Sequence, residues 1–380
     1  MLMLLRVIAV IPASGGVSGA SLALVHMLLG LVTRFSCVEV VAVTSMEALK
    51  YPAVRRLRER GARLVFTPFS GLTGPLYWIG LIVALFSQLR HGRFELVHFS
   101  TPKTLVLMYP VARLVGRKTV LSLEGYPPYE LGYVGGFRRV LGMFMWYAAL
   151  RFADRVAACS EWLRQICLKS VGGGNFTSVY NPVDFDRFKE ASSEAVGDER
   201  CVRLVLVSRL DYVKGVDVAL RALGALRSRG INHVMLVVVG DGPEADRFRR
   251  LAAELGVEGL VKFTGFRADV ERLIAAADIV LVPSRYEPFG MVAAEAGAAT
   301  KPVVASRVGG LREIVVDGET GLLFNPGDHD DLAGKIAALV TDVDRAAAMG
   351  ARGRQRAEYL FTPERVAEKL VRVYLDALRG

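Results

Sequence analysis

The chain has 380 residues, 52% hydrophobic and 23% charged, with 38 Gly and 15 Pro; this excludes a disordered polymer, a collagen-like chain and a disulfide miniprotein, and suits about two domains. Its formal charge of +10 resides in the first half, where residues 1–190 hold 22 Lys/Arg against 11 Asp/Glu, while residues 191–380 hold 26 against 27. Four cysteines, Cys37, Cys159, Cys167 and Cys201, form no CxxC pair and have no His at metal-ligand spacing, so neither a disulfide framework nor a zinc site is expected and a reducing compartment is the default.

Met1 to Ile11 is apolar, lacks a basic n-region and carries Arg6 inside the run, which favours a buried first strand over a cleaved signal. Short β-branched runs then alternate with helical patterns: Leu4 to Ile11, Ala20 to Arg34, Val38 to Val43, Pro52 to Arg60 and Arg63 to Phe66. Leu76 to Phe86 is the most apolar later stretch, and its 11 residues fall short of the roughly 20 that a spanning helix needs, so a core or interfacial helix is predicted. Further strands are predicted at Leu96 to Phe99, Thr119 to Leu123, Arg155 to Ala158 and Thr177 to Tyr180. Between Phe188 and Cys201 the segment KEASSEAVGDER has no apolar period and reads as a linker. Alternation restarts with strands at Val202 to Val207, Val234 to Val239, Leu260 to Thr264, Ile279 to Val282 and Pro302 to Ala305. Strands this rich in Val, Ile and Leu are covered on both faces, so the class is α/β with two doubly wound halves. Such sheets bind ligands at the carboxyl ends of their strands, and two facing sheets would form a cleft.

Four loops at predicted strand ends carry chemistry. Pro12 to Gly19 brings Gly15 and Gly16 to a helix start, where backbone amides attract phosphate or a sugar hydroxyl; the run is not GxGxxG and no acid ends the second strand, so a dinucleotide site loses ground. Ser208 to Gly215 carries Arg209 and Lys214 five residues apart, a pair that can converge on a diphosphate. Gly240, Asp241 and Gly242 make a tight turn before Pro243, adequately explained by positive φ. In Pro283 to Glu295, Glu287 precedes a helix opening at Phe289, Gly290 and Met291, and Glu295 follows two turns later on the same face. The amides there would face a phosphate, and Glu295 could accept two ribose hydroxyls. Its apolar neighbours imply a partly buried charge in need of partners.

Together SRLDYVKG, VGDGPE, the E-x7-E pair and VGGLREIVVDGETGLLF resemble the retaining glycosyltransferases of family 4, the glycosyltransferase group 1 domain on the GT-B fold. The likeness covers nearly the whole chain, including Gly15-Gly16 and the NPVD of Asn181 to Asp184. It implies two Rossmann-like doubly wound domains facing across a cleft: residues 1–186 on the acceptor side, a linker at 187–200, a nucleotide-sugar-binding domain at 201–357, and a last helix at 358–380 returning toward the first domain. It further implies transfer of a hexose-type sugar from a nucleotide diphosphate sugar to an acceptor hydroxyl, with anomeric retention, no cofactor and no bound metal. By position it puts Arg209 and Lys214 on the diphosphate, Glu287 by the donor sugar, Glu295 on the ribose, and Phe289, Gly290 and Met291 along sugar and phosphate. Gly240 and Asp241 fall on the donor side, and Gly15 and Gly16 close over diphosphate and acceptor.

One departure stands out. Family members often carry His where this chain has Glu124, before Gly125; the expectation is that Glu124 keeps the positioning role by accepting hydrogen bonds from sugar hydroxyls. His98, at another strand end, is left open between a structural role and acceptor binding. A sugar nucleotide epimerase on the same fold is the nearest enzyme alternative, and a catalytically silent membrane-associated scaffold the other. Arg55, Arg56, Arg58, Arg60 and Arg63, with Arg138 and Arg139 ahead of Met143 to Tyr147, suit an anionic membrane surface and equally a solvated cationic face. The expected acceptor is a lipid-linked sugar or polysaccharide precursor of cell envelope glycan synthesis, used in the cytoplasm or peripherally on the cytoplasmic face of the membrane. Nucleic acid is disfavoured, since no binding motif accompanies the charge.

Overall fold

The computed structural model describes residues 4–13, 18–68, 74–126, 136–190 and 201–379. The chain divides into two units, Met1–Pro182 with Thr362–Gly380, and Val183–Phe361.

Among the described residues, unit 1 is built on seven strands: β1 (Leu5–Val10), β2 (Val38–Thr44), β3 (Arg63–Phe66), β4 (Leu96–Phe99), β5 (Lys118–Leu123), β6 (Arg155–Ala158) and β7 (Phe176–Ser178). They pair in parallel in the order β3-β2-β1-β4-β5-β6-β7. Residues Val7 to Val10 of the central strand have no exposed surface, as expected of a strand covered by helices on both faces. One covering layer joins the Gly19–Arg34 helix to the last helix, Pro363–Arg379, through Leu24, Leu28, Leu31, Leu370 and Tyr374.

Unit 2 repeats the plan with β8 (Val202–Val207), β9 (Val234–Val239), β10 (Val261–Gly265), β11 (Ile279–Val282), β12 (Val303–Ser306) and β13 (Gly321–Phe324). All are parallel, in the order β10-β9-β8-β11-β12-β13. Strand order reverses between β8 and β11, so the loops leaving their carboxyl ends flank the crevice where such sheets take ligands.

The structure departs from expectation at several borders. The passage between units falls at Pro182, ahead of the predicted linker, because Phe185–Glu190 is a helix whose Phe185 and Phe188 are buried in unit 2. Residues 187–190 are therefore not linker, and 191–200 lie outside the described residues. Unit 2 runs on to Phe361 through a helix, Val343–Phe361, and Pro363 then opens the last helix; a residue before proline resists α geometry, which separates the two. Strand β7 forms at Phe176, one residue earlier than predicted, with Phe176 buried. Strand β13 was not expected, since it opens on Gly321, a residue that reads as a turn; glycine is needed there because a Cβ would overlap the Val303 carbonyl oxygen of β12. The Leu76 to Phe86 stretch lies within a helix, Pro75–His91; among the described residues no helix is long and apolar enough to cross a membrane.

Candidate functional site

Chain leaving β8 turns through a single 3-10 turn, Tyr212–Lys214, whose start is capped by Asp211 accepting the Lys214 amide at 3.2 Å. Leu210 anchors the loop: it is buried, and its amide donates to the Asp241 carbonyl at 2.9 Å. Gly215 closes the turn at φ 68°, and a Cβ there would overlap the Pro283 carbonyl oxygen at the end of β11. Only glycine satisfies both demands. The β8 loop thus lies directly on the β11 loop, and Lys214 extends to Glu287, Nζ to Oε2 2.8 Å. The same carboxylate oxygen accepts from Ser284 Oγ at 3.3 Å. Lys214 and Glu287 are both largely buried, whereas Arg209 is exposed and 3.7 Å from Asp211.

Arg285 fastens the two loops. Its amide donates to the Val213 carbonyl at 2.7 Å and Nη1 to the Tyr212 carbonyl at 2.8 Å. The guanidinium lies 4.0 Å above the Tyr212 ring and makes a two-pronged pair with Asp217 at 2.8 and 2.7 Å. Burial opposes charge on Asp217, but the Arg285 hydrogen bonds overcome it and hold the carboxyl below its ordinary range.

The helix expected to open at Phe289 begins at Met291, after Pro288 and a left-handed Gly290 at φ 111°. Glu287 is therefore a loop residue, and the same-face argument for Glu287 and Glu295 fails. Phe289 is buried edge-on against Phe361, 5.5 Å between rings. The start of the helix has no side-chain cap, and the Ala293 and Ala294 amides donate to the Gly290 carbonyl at 3.0 and 3.2 Å, so the amides it offers to an anion are those of Met291 and Val292. Glu295, on this helix, is partly buried among alanines. Burial pushes its carboxyl up to about 7, Arg187 draws it down and Glu271 pushes it up; Arg187 and Glu271 are themselves an ion pair.

The VGDGPE turn is chiefly structural. Gly240 has φ 132° and its missing side chain admits the Ser208 carbonyl, while Asp241 accepts the amide of Gly242 at 2.7 Å. In unit 1, Glu124 follows β5 and accepts from Asn181 Nδ2 at 2.5 Å, tying the strand end to the NPVD segment. His98 is fully buried: Nδ1 is 2.6 Å from the Tyr374 hydroxyl and Nε2 2.9 Å from Ser122 Oγ. No atom of the ring is exposed to an acceptor, and burial lowers its pKa to about 3. Gly15 and Gly16 lie outside the described residues. Among the described residues no three His, Cys, Asp or Glu side chains group as metal ligands.

Residues 17–187 match the model for "Glycosyltransferase Family 4" and residues 188–356 that for "Glycosyl transferases group 1". A Mycobacterium tuberculosis protein named GDP-mannose-dependent alpha-(1-6)-phosphatidylinositol monomannoside mannosyltransferase is 32% identical over 75% of this chain and 76% of its own length. The chain belongs to glycosyltransferase family 4. This family 4 chain is also 38% identical, over 55% of its length, to the D-inositol 3-phosphate glycosyltransferase of Corynebacterium aurimucosum, and the match spans about half (51%) of that relative. Anabaena HepE, solved with UDP and glucose, superposes with a TM-score of 0.78 at 24% identity, covering 98% of this chain and 99% of the other, which shows a shared fold.

Within this family 4 framework the structure brings Lys214 and Glu287 into contact and places Arg209 on the same loop as Lys214. The sequence reading missed Arg285, although a cation inside SRYEPFG two residues before Glu287 is a visible signal. It also missed Ser208 and Ser306, at the carboxyl ends of β8 and β12, whose hydroxyls are buried with no hydrogen-bond partner among the described residues. Serine closing a Val-rich strand was the only hint of either.

Proposed function

We propose that this chain transfers a hexose-type sugar from a nucleoside diphosphate sugar to an acceptor hydroxyl, with retention at the anomeric carbon. The observation that carries the reading is the Lys214–Glu287 contact between loops at the β8/β11 strand ends, beside the uncapped amides of the Met291–Ala298 helix. The relatives named for GDP-mannose and inositol phosphate chemistry, and the UDP held by HepE, support a nucleotide-sugar donor. In this reading the diphosphate takes Lys214 from Glu287, and Arg209 joins it. The two cations stabilise charge that grows on the leaving phosphate as the bond from the anomeric carbon to phosphate oxygen breaks. No cofactor is required, and these cations do what a metal does elsewhere. Glu287, relieved of its counter-ion, accepts hydrogen bonds from sugar hydroxyls, and Glu295 accepts from the ribose.

The acceptor oxygen bonds to the anomeric carbon on the face the phosphate leaves, and its proton passes to the departing phosphate oxygen. A dedicated protein base is then unnecessary. Glu124 keeps its proposed contact with sugar hydroxyls. The acceptor is proposed to be a lipid-linked sugar or polysaccharide precursor met at a membrane surface. Screening UDP, GDP and ADP sugars for nucleoside diphosphate release, followed by proton NMR of the product's anomeric coupling, tests the reading. Release with no donor, or an inverted product, refutes it; Glu124→Ala with unchanged turnover and donor choice removes Glu124 from the site.

A further inference from the structure

Three helices of unit 1, Pro75–His91, Pro102–Leu114 and Phe137–Phe152, form one layer in which the middle helix packs against both others. Lys103 lies 4.3 Å above the Trp78 ring at one seam, and Tyr109 stacks on Phe152 at 4.8 Å at the other. Many of the outward residues between the helix ends are apolar. Ile79, Val83 and Phe86 are 41–51% exposed, and Phe137, Val140 and Phe144 are 64–78% exposed. Trp146, which the sequence suggested for such a surface, is instead buried, and its indole donates to the Gly125 carbonyl at 3.3 Å. Exposed apolar residues in this density mark an interaction surface.

The charge of the layer chooses the occupant. The three helices contain six Lys/Arg and not one Asp or Glu. Arg90, Lys103, Arg139 and Arg151 lie in first or last turns, with the apolar residues between them, while Arg113, in the last turn of the middle helix, is paired at 3.7 Å with Asp154 beyond the layer. A second copy of the chain would oppose cation to cation across the contact, and a nucleic acid would leave the phenylalanines against phosphates. An anionic bilayer satisfies both halves, taking the rings into its interface while the long cationic stems extend to headgroups. We propose that this layer is the face by which the chain docks on an anionic lipid bilayer. This rests on the membrane-surface reading above and moves its location: the arginine-rich Pro52–Glu59 helix packs against Gly19–Arg34 instead, and Arg55 is bound to the carbonyls of Leu49 and Lys50.

The test is flotation of the full chain with phosphatidylcholine vesicles, pure or carrying about one-third phosphatidylglycerol, at low salt and without any sugar donor. The chain is expected to float with the anionic vesicles only. Val83→Glu combined with Phe144→Glu should weaken binding at least about tenfold, while Arg56→Glu combined with Arg58→Glu costs less than about threefold. An unchanged melting transition and unchanged nucleoside diphosphate binding show that the variants are folded. The inference is overturned by equal binding to both vesicles, by no binding, by equal losses in the two variants, or by a dimer in gel filtration that the Val83/Phe144 variant dissociates. Because no donor is present, vesicle binding by a chain that transfers no sugar would sink the proposed function and leave this inference standing.

Discussion

Lys214 and Glu287 meet at 2.8 Å, so the cation assigned to a diphosphate already holds a counter-ion within its own unit. An incoming phosphate must compete for it. Glu287→Gln removes that competition: affinity for UDP or GDP should rise about threefold to tenfold while transfer falls about 10²-fold. Lys214→Ala should weaken both, with kcat down about 10²-fold to 10³-fold. Calorimetry paired with initial rates checks this, and nucleotide affinity untouched by Lys214→Ala would refute it.

Arg285 is expected to act on donor binding through the loop it fastens. Arg285→Lys keeps a charge but loses the fork and the ring stack, so the donor KM should rise about tenfold with a smaller change in kcat. Arg285→Ala leaves a mostly buried Asp217 without its guanidinium and should cost about 3 kcal/mol in denaturant melts. If KM stays fixed while stability falls, Arg285 supports the fold alone and does not place Lys214.

Glu295 makes donor binding dependent on pH. Its carboxyl is raised from 4.5 to about 7, and only the ionised form accepts two ribose hydroxyls, so donor affinity should climb as pH rises through about 7. The sign for folding is opposite. Between pH 4.5 and about 7 the folded chain keeps a proton that the unfolded chain has released, so stability declines across that window and stays lower above it. Glu295→Gln should stabilise unit 2 at pH 8 by roughly 1–3 kcal/mol and flatten the affinity profile. Titrating donor affinity from acid to alkaline pH in both proteins decides it.

Full burial and two hydrogen bonds favour a stabilising part for His98, and its expected consequence is a pH effect on folding. The imidazole is buried neutral, its pKa lowered from 6.5 to about 3; the unfolded chain takes up a proton first, so unit 1 should lose stability as pH falls below 6.5 toward about 3. His98→Ala takes a hydrogen-bond partner from Tyr374, leaves the Ser122 hydroxyl with the Met27 sulfur, and opens a cavity, at a cost of about 3 kcal/mol. Acceptor KM in the folded fraction should not move. A shift in acceptor KM with stability intact would restore the binding role.

Much of the fold was readable because parallel strands buried on both faces are rich in Val, Ile and Leu and alternate here with longer helical patterns. Loops bearing Arg209, Lys214 and Glu287 were readable as strand-end turns, where Gly and charge concentrate; the structure shows Lys214 and Glu287 in contact, and their roles on a donor are proposals. What escaped depends on partners remote in sequence. The Arg285–Asp217 pair joins positions 68 apart and His98–Tyr374 positions 276 apart, and no local pattern announces either. Phe185 and Phe188 were lost in polar surroundings although they face a core, and Pro288 with Gly290 delays a helix that composition alone would start sooner.

Unit 1 is interrupted: Val183–Phe361 is spelled between its body and its closing helix. During synthesis the ribosome must finish the whole inserted unit before Leu370 and Tyr374 exist to cover Leu24 and Leu28. The second unit can therefore mature first although it is encoded later, while the first waits half-clad, a natural client for chaperones. Damage to the final turns of the polypeptide should accordingly injure the amino-terminal lobe and spare its neighbour.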